Sequence, residues 1–251
     1  MLKLFCHLYL LLNLTCKFIC LNFLALLIVL PATATDLVDD PIEKKHPLIN
    51  QPPLSWQLWQ ASNTLSVEFR HTRYSDLIEI RAKAAIASTL SGVLLFLQDT
   101  KNMPNWLHNA SKSKIIKEIS ATENISLTTF NALWLVKNRA MIIRSRYWQN
   151  DDLSVEVTIN DESKNYDQYG AKATILINII SAHWTIKKSA NGIIEIEHTI
   201  SADPNGFIPN WLANRIALKS MWQTLVNIEN QLPNAHHQKQ QLPNIRTAIT
   251  Q

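Results

Sequence analysis

The side chains able to do chemistry in this chain are few and scattered. His198 lies in the alternating run 193–202, where it shares parity with Ile194, Ile196 and Ile200 while Glu195 and Glu197 take the opposite face. An imidazole titrates near neutral pH and can move a proton. With the phenol of Tyr147, on another alternating run, it could act as an acid/base pair on an apolar carbonyl substrate. The plainer reading of His198, a hydrogen-bonded histidine in or near the core, is the favoured one. His236 and His237 are adjacent in a polar segment and read as solvated, and no pair of histidines stands four apart around a glutamate. Zinc needs several converging ligands, so no metal site is expected. Asp39-Asp40 and Asp151-Asp152 fall in a linker and a turn, where solvated carboxylates are the rule. The glycines are Gly92, Gly170, Gly192 and Gly206. Their spacing makes no dinucleotide fingerprint, phosphate loop or nucleophile elbow, which excludes those enzyme classes and leaves no cofactor implied.

The first 34 residues are dominated by Leu, Ile, Phe and Val, lack Asp and Glu, and carry Lys3 and Lys17 as their charges. A basic edge at Lys17, an apolar run over 21–30, then Pro31 and Ala32-Thr33-Ala34 fit a signal peptide cut after Ala34. The alternative is an uncleaved anchor, since leucines also fill 8–14 and a span needs roughly 20 apolar residues. Lipidation at Cys16 or Cys20 is a weaker reading, because Thr15 and Ile19 precede them instead of Gly or Ala. Export to the periplasm or medium is therefore expected. Cys6, Cys16 and Cys20 all lie in this segment, so the processed chain would have no thiol and no disulfide and must rely on its core. Removing the segment takes two of the 24 basic residues and none of the 20 acidic ones, leaving 22 against 20. So small an excess argues against a nucleic-acid partner, which selects a clustered basic surface.

The elements that must position any site follow from periodicity. Residues 35–53 are polar, contain four prolines and read as a linker. A short helix is expected over 55–62 with Trp56 and Trp59, then strands at 65–70 and 78–81, then a helix over 84–98 in which Gly92 marks a close approach to a strand. Strand-like runs follow at 114–120, 125–135, 140–149, 153–160, 171–187 and 193–202, with Asn191-Gly192 as a two-residue hairpin turn. A long amphipathic helix over 209–232 closes the fold, and residues 233–251 read as a polar, frayed tail. One domain, 54–232, is thus expected: α+β, a curved antiparallel sheet gripping a long C-terminal helix, an arrangement that leaves space between the two.

Four stretches carry a resemblance. Asp203-Pro204-Asn205-Gly206-Phe207-Ile208-Pro209-Asn210-Trp211-Leu212-Ala213-Asn214 resembles the segment that carries START domains from their last strand into the C-terminal helix. Physically, Pro204 and Gly206 set a turn and Pro209 takes a first-turn position where its missing N–H costs nothing. Trp134-Leu135-Val136-Lys137-Asn138-Arg139-Ala140-Met141 is similar to the family's W-P-V-x-x-R-D pattern, with Ala140 in place of aspartate. Leu97-Gln98-Asp99 before Pro104-Asn105-Trp106, and His183-Trp184-Thr185-Ile186 before the Asn191-Gly192 turn, match in order; together the four cover roughly 56–228.

The resemblance implies the helix-grip fold and a deep, mainly apolar cavity that takes up a sterol, phospholipid or other hydrophobic molecule, shielding it without transforming it, with transient membrane contact as a corollary. In the strand after Arg139, the arginines at 144 and 146 put Met141, Ile143, Ser145 and Tyr147 on the inward face. These four, with His198, Trp222 and Leu225, are the cavity candidates, and core packing is an equal reading for Met141, Ile143, Trp222 and Leu225. Arg139 reads as a structural hydrogen-bonding residue. Cholesterol-binding members place an arginine where Ser145 stands, so sterol recognition through that group does not carry over. Two other readings stand beside the carrier: a cyclase- or hydrolase-like cavity enzyme using His198 and Tyr147, and a lipid-responsive interaction module using 35–53 or the tail.

Overall fold

The computed structural model describes residues 54–72, 76–132, 137–166 and 174–247. The leader and the linker lie outside that set. Ten strands form one sheet: β1 (Gln57–Ala61), β2 (Leu65–His71), β3 (Ile78–Ala87), β4 (Ala110–Ser120), β5 (Glu123–Phe130), β6 (Arg139–Gln149), β7 (Val155–Asp161), β8 (Ile175–Leu176), β9 (Asn178–Lys188) and β10 (Ile193–Asp203). Their order is β1-β2-β3-β10-β9-β7-β6-β5-β4, antiparallel throughout, with β8 set parallel to the start of β6. Helices α1 (Leu90–Gln98) and α2 (Met103–Trp106) interrupt the strands after β3, and α3 (Asn210–Gln231) packs against β2, β3 and α2. This is the expected α+β architecture, a curved sheet around a C-terminal helix.

Burial explains the strands. Along β3 buried and half-buried residues alternate without a break from Ile78 to Ile86, because one face meets the core and the other carries Glu79, Arg81 and Lys83. The helix expected from residue 84 therefore starts at Leu90. Ala84, Ala85 and Ala87 favour helix intrinsically, but β2 on one side and β10 on the other both pair with this segment, and tertiary pairing overrides propensity. Thr89 caps α1, its side chain accepting from the Gly92 N–H at 2.9 Å. Gly92 does mark a close approach, but to the C-terminal segment: an added Cβ would stand 2.7 Å from Gln238 Oε1.

The 55–62 segment is an edge strand and not a helix. The open edge of β2 offers unpaired backbone groups, and β1 pairs there from Gln57↔Phe69 to Ala61↔Ser66 through a bulge between Leu58 and Gln60. Trp56 lies against the guanidinium groups of Arg70 and Arg81, 4.4 and 4.3 Å from its ring centre. Asn191 and Gly192 both take positive φ as expected, 56° and 73°, but the β9-β10 turn is longer than the two residues expected: Ala190–Gly192 form a short 3-10 turn closed by the Ser189 N–H donating to Ile193 O.

The segment after α3 is a second departure. Residues 232–247 do not fray: they make two short 3-10 turns (Leu232–Asn234, His236–Lys239) and bury Leu232 and Ile245 in the main core. Asn244 Nδ2 donates to the Tyr147 hydroxyl at 3.0 Å, the Arg246 N–H donates to Gln149 Oε1 at 2.8 Å, and the Leu242 N–H donates to Ser91 Oγ at 3.1 Å. The expected domain boundary at residue 232 therefore moves outward to include this strap.

Candidate functional site: an apolar cavity under the C-terminal helix

The inner face of the sheet is built by period two. Ile78 and Ile80 of β3, Asn124 and Ser126 of β5, Met141, Ile143, Ser145 and Tyr147 of β6, Val157 and Ile159 of β7, Ala182 and Trp184 of β9, and His198 and Ile200 of β10 all point to one side. Opposite them stand Ile216, Ser220, Met221 and Thr224 of α3, and Leu94, Gln98 and Trp106 of the α1–α2 corner close one wall. They enclose a cavity of about 390 Å³, within the size range of small-molecule sites. The other face of β6 is occupied: Ile142 is buried in a separate small cluster with Ile125, Leu127 and Ala140.

Of the residues singled out from sequence, Met141, Ile143, Ser145, Tyr147 and His198 come together in this wall. Trp222 and Leu225 do not. Leu225 is buried in the main core and Trp222 packs against that core; one turn of α3 offers residues to two sides, and these two face away from the space. The Trp134-Leu135-Val136 part of the second motif lies outside the described residues.

Arg139 begins β6 and is 8% exposed. Its Nε donates to Pro204 O at 2.9 Å, Nη2 to Asn205 O at 3.0 Å and Nη1 to Lys137 O at 3.0 Å. It thereby fastens the loop that leads into α3. Burial lowers its pKa from the ordinary value, yet a guanidinium remains charged at any physiological pH. Gly206 in that loop has φ 78°, and a Cβ there would meet Ile175 Cδ1 at 2.9 Å, so a side chain at this position would be strained and would displace Ile175. The far half of α3 is tied to the α2 corner: Asn227 Nδ2 donates to Trp106 O, Gln231 Nε2 to Asn105 O, and the His108 N–H to Thr224 Oγ1, at 2.8–3.1 Å.

His198 is 5% exposed and stacks on Trp184 with ring centres 4.0 Å apart. Its Nδ1 lies 3.0 Å from His183 O; a carbonyl only accepts, so Nδ1 carries the proton and Nε2 is left as the acceptor. Tyr147 is bonded to Asn244 and not to His198. Desolvation is the main cause that pushes the His198 pKa down to about 4. The sign follows: the unfolded histidine takes up a proton near pH 6.5 while the folded one refuses it until about pH 4, so stability present above pH 6.5 is lost as pH falls through that window. At about 1.4 kcal/mol per pH unit the loss is roughly 3 kcal/mol by pH 4. Denaturant unfolding at pH 7 and pH 4 should show His198→Gln losing less stability than the wild type over that interval; an equal loss in both would place the acid sensitivity in the carboxylates alone.

Asp99, His236 and His237 bring one ligand atom each within 4.8 Å of one another; the two histidines, expected to be solvated in a polar tail, thus meet the aspartate that ends α1. His237 Nε2 lies 3.3 Å from Asp99 Oδ2 and its Nδ1 3.3 Å from Gln240 Oε1. The histidine is thus held between two acceptors and fastens the C-terminal strap to the end of α1; these three residues are where a divalent cation could be held.

No family model matches the chain. An uncharacterised protein of Pseudomonas aeruginosa is 19% identical over 175 residues, covering 70% of this chain and 85% of that one. Among solved structures, a STAR-related lipid transfer protein fragment from Xanthomonas axonopodis is 23% identical with a TM-score of 0.63, covering 70% of this chain and 98% of that one. Human StAR-related lipid transfer protein 5 is 14% identical with a TM-score of 0.62, over 71% and 86%. The lipid transfer and protein localisation domain of human StarD13 is 12% identical at 0.61, over 70% and 88%. At these identities the likeness is one of fold: the chain has the helix-grip fold of START domains, bacterial and human alike.

Proposed function

We propose that this protein binds a lipid or other hydrophobic molecule in the cavity beneath α3 and carries it in a water-shielded form. The observation that carries the reading is the cavity itself, about 390 Å³ of space faced by Ile, Leu, Val, Met and Trp side chains where a packed core would otherwise be. Removing apolar surface from water yields about 25 cal/mol per Å², so an acyl chain or ring system placed there gains most of its affinity without a specific polar contact. The lipid-transfer proteins that share the fold support the same reading.

Transfer between membranes requires contact with a bilayer. Phe207 and Trp211 stand exposed close in sequence to Ile208, which lines the cavity, and two exposed aromatics so placed suit the interfacial layer of a membrane. No helix among the described residues is long and apolar enough to cross one. Export is part of this proposal, supported by the leader-like composition of residues 1–34.

Native mass spectrometry of the protein purified without detergent, followed by lipid extraction, tests the reading. A stoichiometric hydrophobic compound is expected. An empty protein that takes up none of an offered panel of lipids would overturn it, and would shift weight to a cavity enzyme or a partner-binding module.

A further inference from the structure

We infer a metal site that fastens the C-terminal strap to the body of the fold: Asp99, His236 and His237 hold one divalent transition-metal ion of the zinc class, leaving a fourth position to water.

The three ligands come from two elements, each fixed in its own right. Asp99 ends α1; its N–H donates to Leu95 O and Phe96 O, and its Oδ1 accepts from the Asn102 N–H at 3.3 Å, which leaves Oδ2 for the strap. His236 and His237 open the second 3-10 turn. That turn is held from within by the Gln238 N–H on Ala235 O and the Gln240 N–H on His237 O, and from behind by Gln238 Nε2, which donates to Leu232 O at 2.6 Å. The two imidazole rings lie together, centres 3.6 Å apart, and with the carboxylate they bring three ligand atoms within 4.8 Å of one another. Water reaches the cluster: His236 is exposed, and the side chains of His237 and Asp99 keep 13% and 20% of their accessible surface. An ion can therefore enter, and the His236 ring can close the last distance by turning at the surface.

His237 supplies the reason for an ion. Its Nε2 stands 3.3 Å from Asp99 Oδ2 and its Nδ1 3.3 Å from Gln240 Oε1. A neutral imidazole has one N–H, so it donates to one of these oxygens and turns a lone pair on the other. With the Nδ1 proton given to Gln240, Nε2 and Oδ2 meet lone pair to lone pair, and a cation between them replaces that repulsion with two bonds. A carbonyl on the second ring nitrogen is also how metal-binding histidines are commonly oriented. The separation agrees. Zinc bonds of about 2.0–2.1 Å in a tetrahedron set neighbouring ligand atoms about 3.3–3.4 Å apart, whereas a charge-assisted hydrogen bond draws its atoms to about 2.7–2.9 Å; His183 Nε2 approaches Glu156 Oε2 to 2.5 Å. Two imidazole nitrogens and one carboxylate oxygen favour zinc, cobalt or nickel over magnesium and calcium, which take oxygen ligands. No local spacing announces the site, since Asp99 and His237 are 138 residues apart.

Isothermal titration of the full chain, freed of metal by dialysis against EDTA, with zinc chloride and with magnesium chloride tests the inference. Zinc should bind at one site at least tenfold more tightly than magnesium. Asp99→Asn and His236→Gln should each weaken zinc at least tenfold, and Gln240→Leu, which removes only the outer partner of His237, about tenfold. Because His236 is exposed, His236→Gln without metal should melt with the wild type. Zinc at a hundred times its dissociation constant should raise the wild-type midpoint by roughly 5–11 °C, and at the same concentration should raise that of His236→Gln by about half as much or less. Zinc binding that survives both Asp99→Asn and His236→Gln would place the ion elsewhere, as on Cys6, Cys16 and Cys20, and would overturn the inference. So would zinc binding no tighter than that of magnesium, which would mean that His237 and Asp99 share a proton and nothing more.

Discussion

Replacing Arg139 with methionine is expected to lower the thermal midpoint by roughly 6–20 °C. The guanidinium serves two segments at once, the start of β6 through Lys137 O and the Pro204–Asn205 turn through two further carbonyls. Methionine keeps much of the volume and leaves those three acceptors facing an apolar chain end. Breaking a buried charged network by removing one partner costs about 3–5 kcal/mol, and in a domain of this size each kcal/mol moves the midpoint by about 2–4 °C. Arg139→Lys should recover a minor part of the loss, since an ammonium cannot span carbonyls on two sides as a planar fork does. Scanning calorimetry of the three proteins decides it. A methionine variant melting within 2 °C of the wild type, a margin set by that same scale, would show that the loop into α3 is held by its own turn and not by Arg139.

That loop also shows what the sequence could and could not reveal. Pro204, Gly206 and Pro209 were legible because each imposes a backbone geometry by itself, and the structure uses them so: Gly206 at positive φ, α3 beginning just after Pro209. The strands β5, β6, β7, β9 and β10 were legible because their side chains alternate between two different surroundings, whereas β8, read as part of one run over 171–187, is a separate short strand parallel to β6. Where that contrast fades, reading fails. The alanines at 84–87 have no side chain to declare a face, and only the flanking strands make them part of β3. The edge strand β1 is exposed along most of its length, so burial leaves no pattern to follow. The C-terminal strap is polar except for anchors such as Leu242 and Ile245, too widely spaced to show a period.

The site was legible in the sheet and less so in the helix for a related reason. A strand residue has two choices, and Arg144 settles β6, although Arg146 near its far end also lines the cavity. A helix wedged between a core and a cavity has apolar residues on both sides, so period 3.6 cannot say which of them faces empty space. Met221 and Thr224 do; Trp222 and Leu225 do not. Asp99 stood in the sequence as part of a motif and His236-His237 in a polar tail, but that they meet depends on how the strap folds back on α1, which no local pattern encodes.

Filling the cavity gives the second large effect. Ala182 of β9 sits at the centre of the inner face, paired with Ile159 on one side and Ile200 on the other, and lines the space. Phenylalanine at that position would direct its ring into the volume the ligand is proposed to occupy. In a filled core such an enlargement costs about 1–3 kcal/mol through overpacking; here the ring meets empty space and its burial offsets that cost, so the unliganded Ala182→Phe protein should melt at or above the wild-type midpoint. Ligand response is where the two must part. A ligand at a hundred times its dissociation constant stabilises the folded state by about 2.7 kcal/mol, or roughly 5–11 °C for a domain of this size. The wild type should show that rise with decan-1-ol as the hydrophobic probe, and the variant should show none at the same concentration, an affinity loss of a hundredfold or more. An Ala182→Phe protein that folds and is still stabilised to the same extent would mean that the ligand binds elsewhere, and that the space beneath α3 is a packing defect and not a site.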